Sequence, residues 1–458
     1  VHDNNQGGDP VLAPPRLTGR RSLFFAIVAL LLSIRGTVIW IVDSGPRWFY
    51  HTDYDVYRAG GQAFLDGDNL YTQWYSVVGI DLPFTYPPLA AILFSPLAVI
   101  PYSIGSAAMT VASAVVTWWC IVIVLRTCLP TFAASDLRLL ALFILPLALQ
   151  FEPLSQTLYF GQINVFLMAL VLADTLTRRS WLPRGVLIGL AAAIKLTPAV
   201  FGLVFLVRRQ WKDAAVTTAS GIGFTLLAAL VSPQNSLTYW FHTLSDPTRI
   251  GKLYFSANQS LQGVLSRVVG TAEEPPRLWW VALVIIALTI IIVALLKIER
   301  TAAALGVDPT LAIVLVTAFV ALLCSPVSWS HHWTWLVPLA VTMGVSAYRM
   351  APGILRTLTG LLTVVITLVG LLGSHWRVDV PRDMEYLWPW WAQPMGNSYV
   401  VVALLVLVTV ILVPQILLPQ PPRNEPFPAP AIPAAVLRAW ATFVTLVSLV
   451  IIVPALVA

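Results

Sequence analysis

Apolar runs of about 20 residues return from one end of this chain to the other, each closed off by charge, Pro or Gly, and nothing else in the sequence constrains the fold as strongly. A run of that length crosses a hydrocarbon core of about 30 Å as a helix. Inside lipid the backbone has no water to bond, so helices are what such runs must form. Hydrophobic residues fill 58% of the 458 positions and charged ones only 10%, too few to cover a soluble domain. The predicted fold class is therefore an all-α polytopic membrane protein with about 11–13 transmembrane helices, broken or re-entrant half-helices included.

Spans are predicted at 23–43, 104–126, 138–153, 162–177, 213–232, 278–298, 309–324, 333–348, 353–373, 398–418 and 434–457. Two further apolar stretches are interrupted, 83–100 by Pro83, Pro87, Pro88 and Pro96, and 185–207 at Lys195-Leu196-Thr197-Pro198. Arg178, Arg179 and Arg184 precede the second stretch, and Arg208, Arg209 and Lys212 follow it. The positive-inside rule assigns both flanks to the cytoplasm, so this stretch reads as half-helices that enter and return. If 83–100 also fails to cross, the basic pairs Lys297/Arg300 and Arg349/Arg356, and Arg423, fall inside as well. The segments 44–82, 152–161, 233–277, 325–332 and 374–397 are then extracytoplasmic, and they hold 12 of the 21 acids and every His but His2. An active face would point out of the cell, on a multi-pass protein of the plasma membrane.

The ends of the chain read as a cytoplasmic tail over 1–22, an uncleaved anchor after Arg20-Arg21, a Pro-rich linker over 419–433 and a last membrane helix over 434–458. The net charge of +6 sits at the ends of apolar runs, where it sets orientation, and nucleic acid is not an expected partner. Cys120, Cys128 and Cys324 lack ligand-like spacing and read as packing residues. No internal repeat is evident, which weighs against a lipid or polysaccharide transporter.

Five features could carry chemistry. Asp53 and Asp55 share a face only if their segment is extended; otherwise they read as loop acids, with Asp53 capping a helix over 54–65. His331 and His332 lie in Ser325–Trp333, where one imidazole could meet a phosphate or the pair could be an interfacial cluster. Arg35 and Lys195 are charges within apolar runs and need a partner, either a carboxylate such as Asp174 or Glu152 or a lipid phosphate. The loop 233–277 holds Tyr239, His242, Arg249, Lys252, Asn258, Gln259 and Arg267, a mixture suited to sugar hydroxyls and an anionic head group. Trp388-Pro389-Trp390-Trp391 reads first as an aromatic belt and second as a sugar-stacking surface. No phosphate loop, zinc-helix motif or nucleophile elbow is present, and no carboxylate cluster suggests a metal or other cofactor.

The segments Asp53-Tyr54-Asp55-Val56-Tyr57-Arg58-Ala59-Gly60-Gly61, Pro83-Phe84-Thr85-Tyr86-Pro87-Pro88, Phe160-Gly161-Gln162-Ile163-Asn164-Val165, Lys195-Leu196-Thr197-Pro198-Ala199 and Ser325–Trp333 occur in the order of one family. Together the chain resembles the polyprenyl-phosphate-mannose-dependent α-(1→2)-mannosyltransferases of actinobacteria, glycosyltransferase family 87, over about residues 50–350. The resemblance implies the multispanning type C glycosyltransferase architecture over 23–418, a lipid-linked mannose donor and a lipomannan or phosphatidylinositol mannoside acceptor. The runs Arg58–Gly67 and Gly79–Leu82 look more like the enzymes that branch lipomannan and lipoarabinomannan than like those that extend phosphatidylinositol mannosides. A related transferase of another lipid-linked sugar, such as arabinofuranose, shares these features, as would a structural subunit of an envelope-synthesis complex share the spans.

Carried over residue by residue, the resemblance makes Asp53 the general base and gives the donor phosphate to His331 or His332, with His332 favoured. Asp55, Tyr57, Arg58, Tyr86, Gln162, Asn164, Lys195 and Trp329, with Arg249, Asn258 and Gln259 from the loop, are the expected substrate contacts. The implied reaction is a single displacement at C1 of β-mannosyl phosphopolyprenol, inverting to α.

Overall fold

The computed structural model describes residues 51–457 apart from 78, 178–180, 247–248, 250, 382 and 420–432. The predicted tail, the span 23–43 with its Arg35, and all but the ends of the linker 419–433 lie outside the described residues.

Five described helices are long and apolar enough to cross a membrane: Tyr102–Cys128, Trp211–Val231, Arg277–Leu305, Ile354–Leu372 and Ala434–Leu456. Each lies on a predicted run. Ala134–Leu149 and Glu152–Phe160 make a sixth if counted as one span, bent by 79°. At the bend Phe151 takes an extended ψ of 129°, and Pro153 opens the second piece, where its missing N–H is harmless. The spans expected at 162–177, 309–324, 333–348 and 398–418 fold as Asn164–Leu176, Thr310–Cys324, Leu336–Arg349 and Ser398–Leu412. At 13 to 15 residues these are only about 20 Å long. Thr310–Cys324 and Ser398–Leu412 are buried along most of their length. Protein rather than lipid surrounds them, which is why hydropathy alone reads them as spans. Full-length crossings among the described residues are thus fewer than the sequence predicts.

The interrupted stretches behave as their prolines require. Pro88–Val99 is a helix of 12 residues, too short to cross, and packs along Thr52–Asp66. Val186–Ile194 stops at Lys195, whose backbone is extended (φ −146°, ψ 128°), and the chain resumes as a 3-10 turn over Thr197–Phe201 and a helix over Gly202–Val207. Asp174 does not pair with Lys195. Its two carboxylate oxygens accept from the backbone N–H groups of Gly185 and Ile188, at 2.9 and 2.8 Å, and so cap the start of Val186–Ile194. One element departs from the all-α expectation: Trp74–Val77 and Ile80–Pro83 form an antiparallel hairpin, with Val77 opposite Ile80 and Gly79 at φ 78° in the turn.

Two glycines set the distance between Thr52–Asp66 and its neighbours. A Cβ on Gly60 would lie 2.4 Å from the Phe84 ring, and one on Gly61 would lie 2.7 Å from the Phe94 carbonyl oxygen. Backbone cannot rotate aside as a side chain can. We therefore expect Gly61→Ala to push the two helices apart and destabilise the protein by about 1–3 kcal/mol, read as a fall in Tm of the detergent-purified protein. An unchanged Tm would mean the contact is slack.

Candidate active site

Thr52–Asp66 starts at a fixed point. His51 precedes it, with its backbone N–H donating to the Tyr102 hydroxyl (3.0 Å), Nδ1 donating to the Tyr159 carbonyl (2.9 Å) and Nε2 lying 2.9 Å from the Thr110 hydroxyl. Asp53 is thus the second residue of the helix and not its cap, and the cap position belongs to His51. On a helix, residues two apart diverge, so Asp55 turns away from Asp53 and has Arg58 as its neighbouring charge.

Behind Asp53 lies a polar and aromatic cluster. The Gln162 carbonyl oxygen accepts from the hydroxyls of Tyr57 (2.8 Å) and Tyr86 (3.2 Å), which are themselves 2.9 Å apart. With its oxygen taken twice, the amide presents its NH₂ group, and the Gln162 side chain hydrogen-bonds Asp53. Burial pushes the Asp53 carboxyl up from 3.8 to about 6, against the opposing pull of that hydrogen bond and of the Lys195 charge.

Lys195 sits at the break between helices, where no turn of helix covers its ammonium. Nζ donates to Asn164 Oδ1 at 2.9 Å, lies 3.2 Å from His332 Nε2 and stands 5.4 Å from the Tyr86 ring centroid. Asn164 in turn donates to the His331 backbone carbonyl at 3.0 Å. The charge that helix packing alone would leave stranded is therefore tied to both histidines and biases Asp53. It has no contact with Glu152.

Asp53 and His331 line one cavity of about 830 Å³, with Thr52, Gln156, Tyr159, Phe160 and Trp329 among its walls. Burial holds the His331 imidazole down at about 3, so it is neutral, and its Nε2 has no hydrogen-bond partner among the described residues. His332 does not line this cavity; its ring is turned back to Lys195. The phosphate role favoured for His332 is thus better matched by the position of His331. Adjacent residues on the 3-10 turn Ser330–Trp335 point apart, and sequence carries no sign of which one faces in.

Residues 84–326 match the family model for glycosyltransferase family 87. A polyprenol-phosphate-mannose-dependent alpha-(1-2)-phosphatidylinositol mannoside mannosyltransferase of Mycobacterium tuberculosis (strain ATCC 25618 / H37Rv) is 38% identical over 408 residues, covering 85% of this chain and 91% of that one. The chain belongs to glycosyltransferase family 87. A second relative within that similarity, a polyprenol-phosphate-mannose-dependent alpha-(1-2)-phosphatidylinositol pentamannoside mannosyltransferase of Mycolicibacterium smegmatis, is 33% identical, covering 88% of this chain and 95% of that one. The crystal structure of ArnT from Cupriavidus metallidurans bound to undecaprenyl phosphate aligns over 95% of this chain and 76% of that one, with a TM-score of 0.39 and 16% identity.

This family-87 glycosyltransferase uses several expected contact residues for architecture instead. Arg58 donates to the carbonyls of Leu97, Ala98 and Ile100, closing the C-terminal end of Pro88–Val99. Asn258 and Gln259 are wholly buried. Asn258 accepts from Ser328 N–H and donates to the Leu253 and Pro326 carbonyls, and Gln259 donates to those of Ser256 and Gly396. They bind two loops together and have no group left for a sugar. Arg249 donates to the Tyr71 carbonyl at 2.7 Å and does not reach the cavity.

The family-87 site also contains a centre that sequence reasoning touched only as a partner for Lys195. Glu152, buried at the bend, accepts from the Ser330 hydroxyl, Trp376 Nε1 and the Tyr399 hydroxyl, each at 2.7 Å, and lies 3.4 Å from His375 Nε2. It thereby ties Ser330, next to His331, to the 374–397 segment. The available signal was a lone acid inside an apolar run, which is rarely left without donors.

Proposed function

We propose that this family-87 chain is an inverting α-(1→2)-mannosyltransferase that takes mannose from a polyprenyl-phosphate-mannose donor at the extracytoplasmic face of the plasma membrane. The observation that carries the reading is the pairing of Asp53 and His331 on one cavity wall. The donor and linkage follow the names of the two relatives given above. Asp53 takes the proton from the acceptor 2-hydroxyl as that oxygen bonds to C1 of the mannose, and the C1–O bond to phosphate breaks with its electrons. The leaving phosphate gains charge, which the N–H of neutral His331 is placed to meet, while the Lys195 ammonium, held by Asn164 and His332 off the cavity lining, adds its positive charge from a longer range. A second, apolar groove of about 1040 Å³ begins at Leu196, next to Lys195, and runs along Trp211–Val231, a surface suited to a polyprenyl chain.

The acceptor on this reading is a phosphatidylinositol mannoside, which the names of both relatives specify for them. Within the run Arg58–Gly67 that favoured mannan branching, Arg58, Gly60 and Gly61 are occupied in packing helices, so those three carry little information about the acceptor. Transfer of labelled mannose by the purified protein from the lipid donor, set against nucleotide-activated mannose, tests the donor. Linkage analysis of the product tests the rest, and labelled branches on lipomannan with none on phosphatidylinositol mannosides would return the branching assignment.

A pH profile gives a second test. Asp53 must be unprotonated to accept a proton, so activity is full above about 6 and falls about tenfold per unit below it. An acid limb near the ordinary carboxylate value would show a solvated acid.

A further inference from the structure

Another part of the same cavity wall holds groups that the reaction at Asp53 does not use. Glu385 is only 3% exposed, yet lines the cavity. Its Oε1 accepts from the Ser256 backbone N–H at 3.4 Å, and its Oε2 has no hydrogen-bond partner among the described residues, although the Arg267 and Glu385 charges attract each other. Beside it, Trp388 is 5% exposed and lines the cavity too, with Nε1 equally unpartnered. The Trp388 ring is held between the Arg267 guanidinium, 5.1 Å from its centroid, and Gly396, where a Cβ would fall 2.0 Å from the ring. The ring is thus packed against protein, and its unpaired polar group is the N–H. Arg267 is fixed by Asn397 and by the carbonyls of Tyr254, Phe255 and Asn258, so this wall is rigid.

A buried acceptor and a buried donor left unpaired three residues apart on one cavity wall are costly unless something fills both. A pair of neighbouring sugar hydroxyls does so, because each hydroxyl both donates and accepts. The surrounding rings suit the apolar face of a pyranose: Phe255 meets Trp329 and Trp376 edge-on at 6.1 and 5.8 Å between centroids, and all three line the cavity. A single sugar being transferred would not need a second polar anchor away from the base.

We propose that Glu385 and Trp388 form a subsite for a mannosyl residue of the acceptor, Glu385 accepting from one hydroxyl and Trp388 donating to its neighbour. The assignment rests on the mannoside acceptor proposed above. It is tested by titrating the full-length purified protein with octyl α-D-mannopyranoside by calorimetry, without donor, and by measuring KM for phosphatidylinositol mannoside and for the lipid donor separately. Glu385→Gln should weaken mannoside binding and raise the acceptor KM by about tenfold or more, the loss of one charged hydrogen bond, with the donor KM unchanged. Trp388→Phe keeps an aromatic ring, though a smaller one, and removes the N–H, so it should act in the same direction and serves if Glu385→Gln does not fold. Equal mannoside affinity in wild type and variants, or a donor KM that rises with the acceptor KM, overturns the subsite. Mannoside binding that depends on Glu385 in a protein unable to use the lipid donor would uphold the subsite and overturn the proposed function.

Discussion

Asp53→Asn should lose about 10²–10⁴ of its turnover and gain thermal stability at neutral pH. The amide has the size of the carboxyl and can still accept from Gln162, but it cannot take a proton. The sign of the stability change follows from the shift. A carboxyl raised from 3.8 to about 6 binds its proton more tightly folded than unfolded, so ionising it penalises the folded state. That penalty is absent below about pH 4, grows through about 6 and is complete above it. Two units correspond to about 3 kcal/mol at most, and solvent reaching the cavity reduces this to roughly 1–2 kcal/mol. Turnover by stopped radiolabel assay and Tm in detergent, measured on the same preparation, check both halves. Near-wild-type turnover would remove Asp53 from the base role, and a fall in Tm would show that its charge is compensated in the folded protein.

Lys195→Met should act through two routes that one experiment separates. Removing a cation whose charge acts on the leaving phosphate from off the cavity lining should lower turnover by about tenfold or more at neutral pH. The Lys195 charge also holds the Asp53 carboxyl down, so without it the acid limb should move upward from about 6. The limb position is independent of how much protein folds, which matters because Met also strips a donor from Asn164 and His332. Lys195→Arg keeps the charge and should keep the limb, while its planar group fits the Asn164 and His332 contacts poorly and loses rate. A limb that stays near 6 in Lys195→Met would show that the two groups are not coupled.

The membrane class was plain in the sequence because hydropathy reports the solvent a helix needs. It cannot say whether lipid or protein supplies that solvent, so the buried Thr310–Cys324 and Ser398–Leu412 read like crossings. Lys195 was conspicuous as a charge in an apolar run, yet its partners were not, since Asn164 and His332 lie 31 and 137 positions away. The ligands of Glu152 are further still, at separations of 178, 224 and 247. Arg58 and Asn258 show the opposite error. A polar residue in a segment between apolar runs looks available for substrate until the carbonyls that occupy it are known. Glu385 offered no signal, as an acid in a polar loop is ordinary until burial and an open oxygen set it apart.

The cavity draws its wall from Thr52 and Asp53 at one end of the described chain and from Glu385 and Trp388 near the other. During synthesis Asp53 is made long before Glu385 and Trp388, so the cavity wall is completed only by the late 374–397 segment. A chain stopped before 374–397 would carry Asp53 and both histidines but lack the Trp376, Glu385 and Trp388 part of the cavity wall. On the proposed reading the same separation lets the two ends change independently, so substitutions in the late loop would alter the acceptor subsite without touching the helix that carries Asp53.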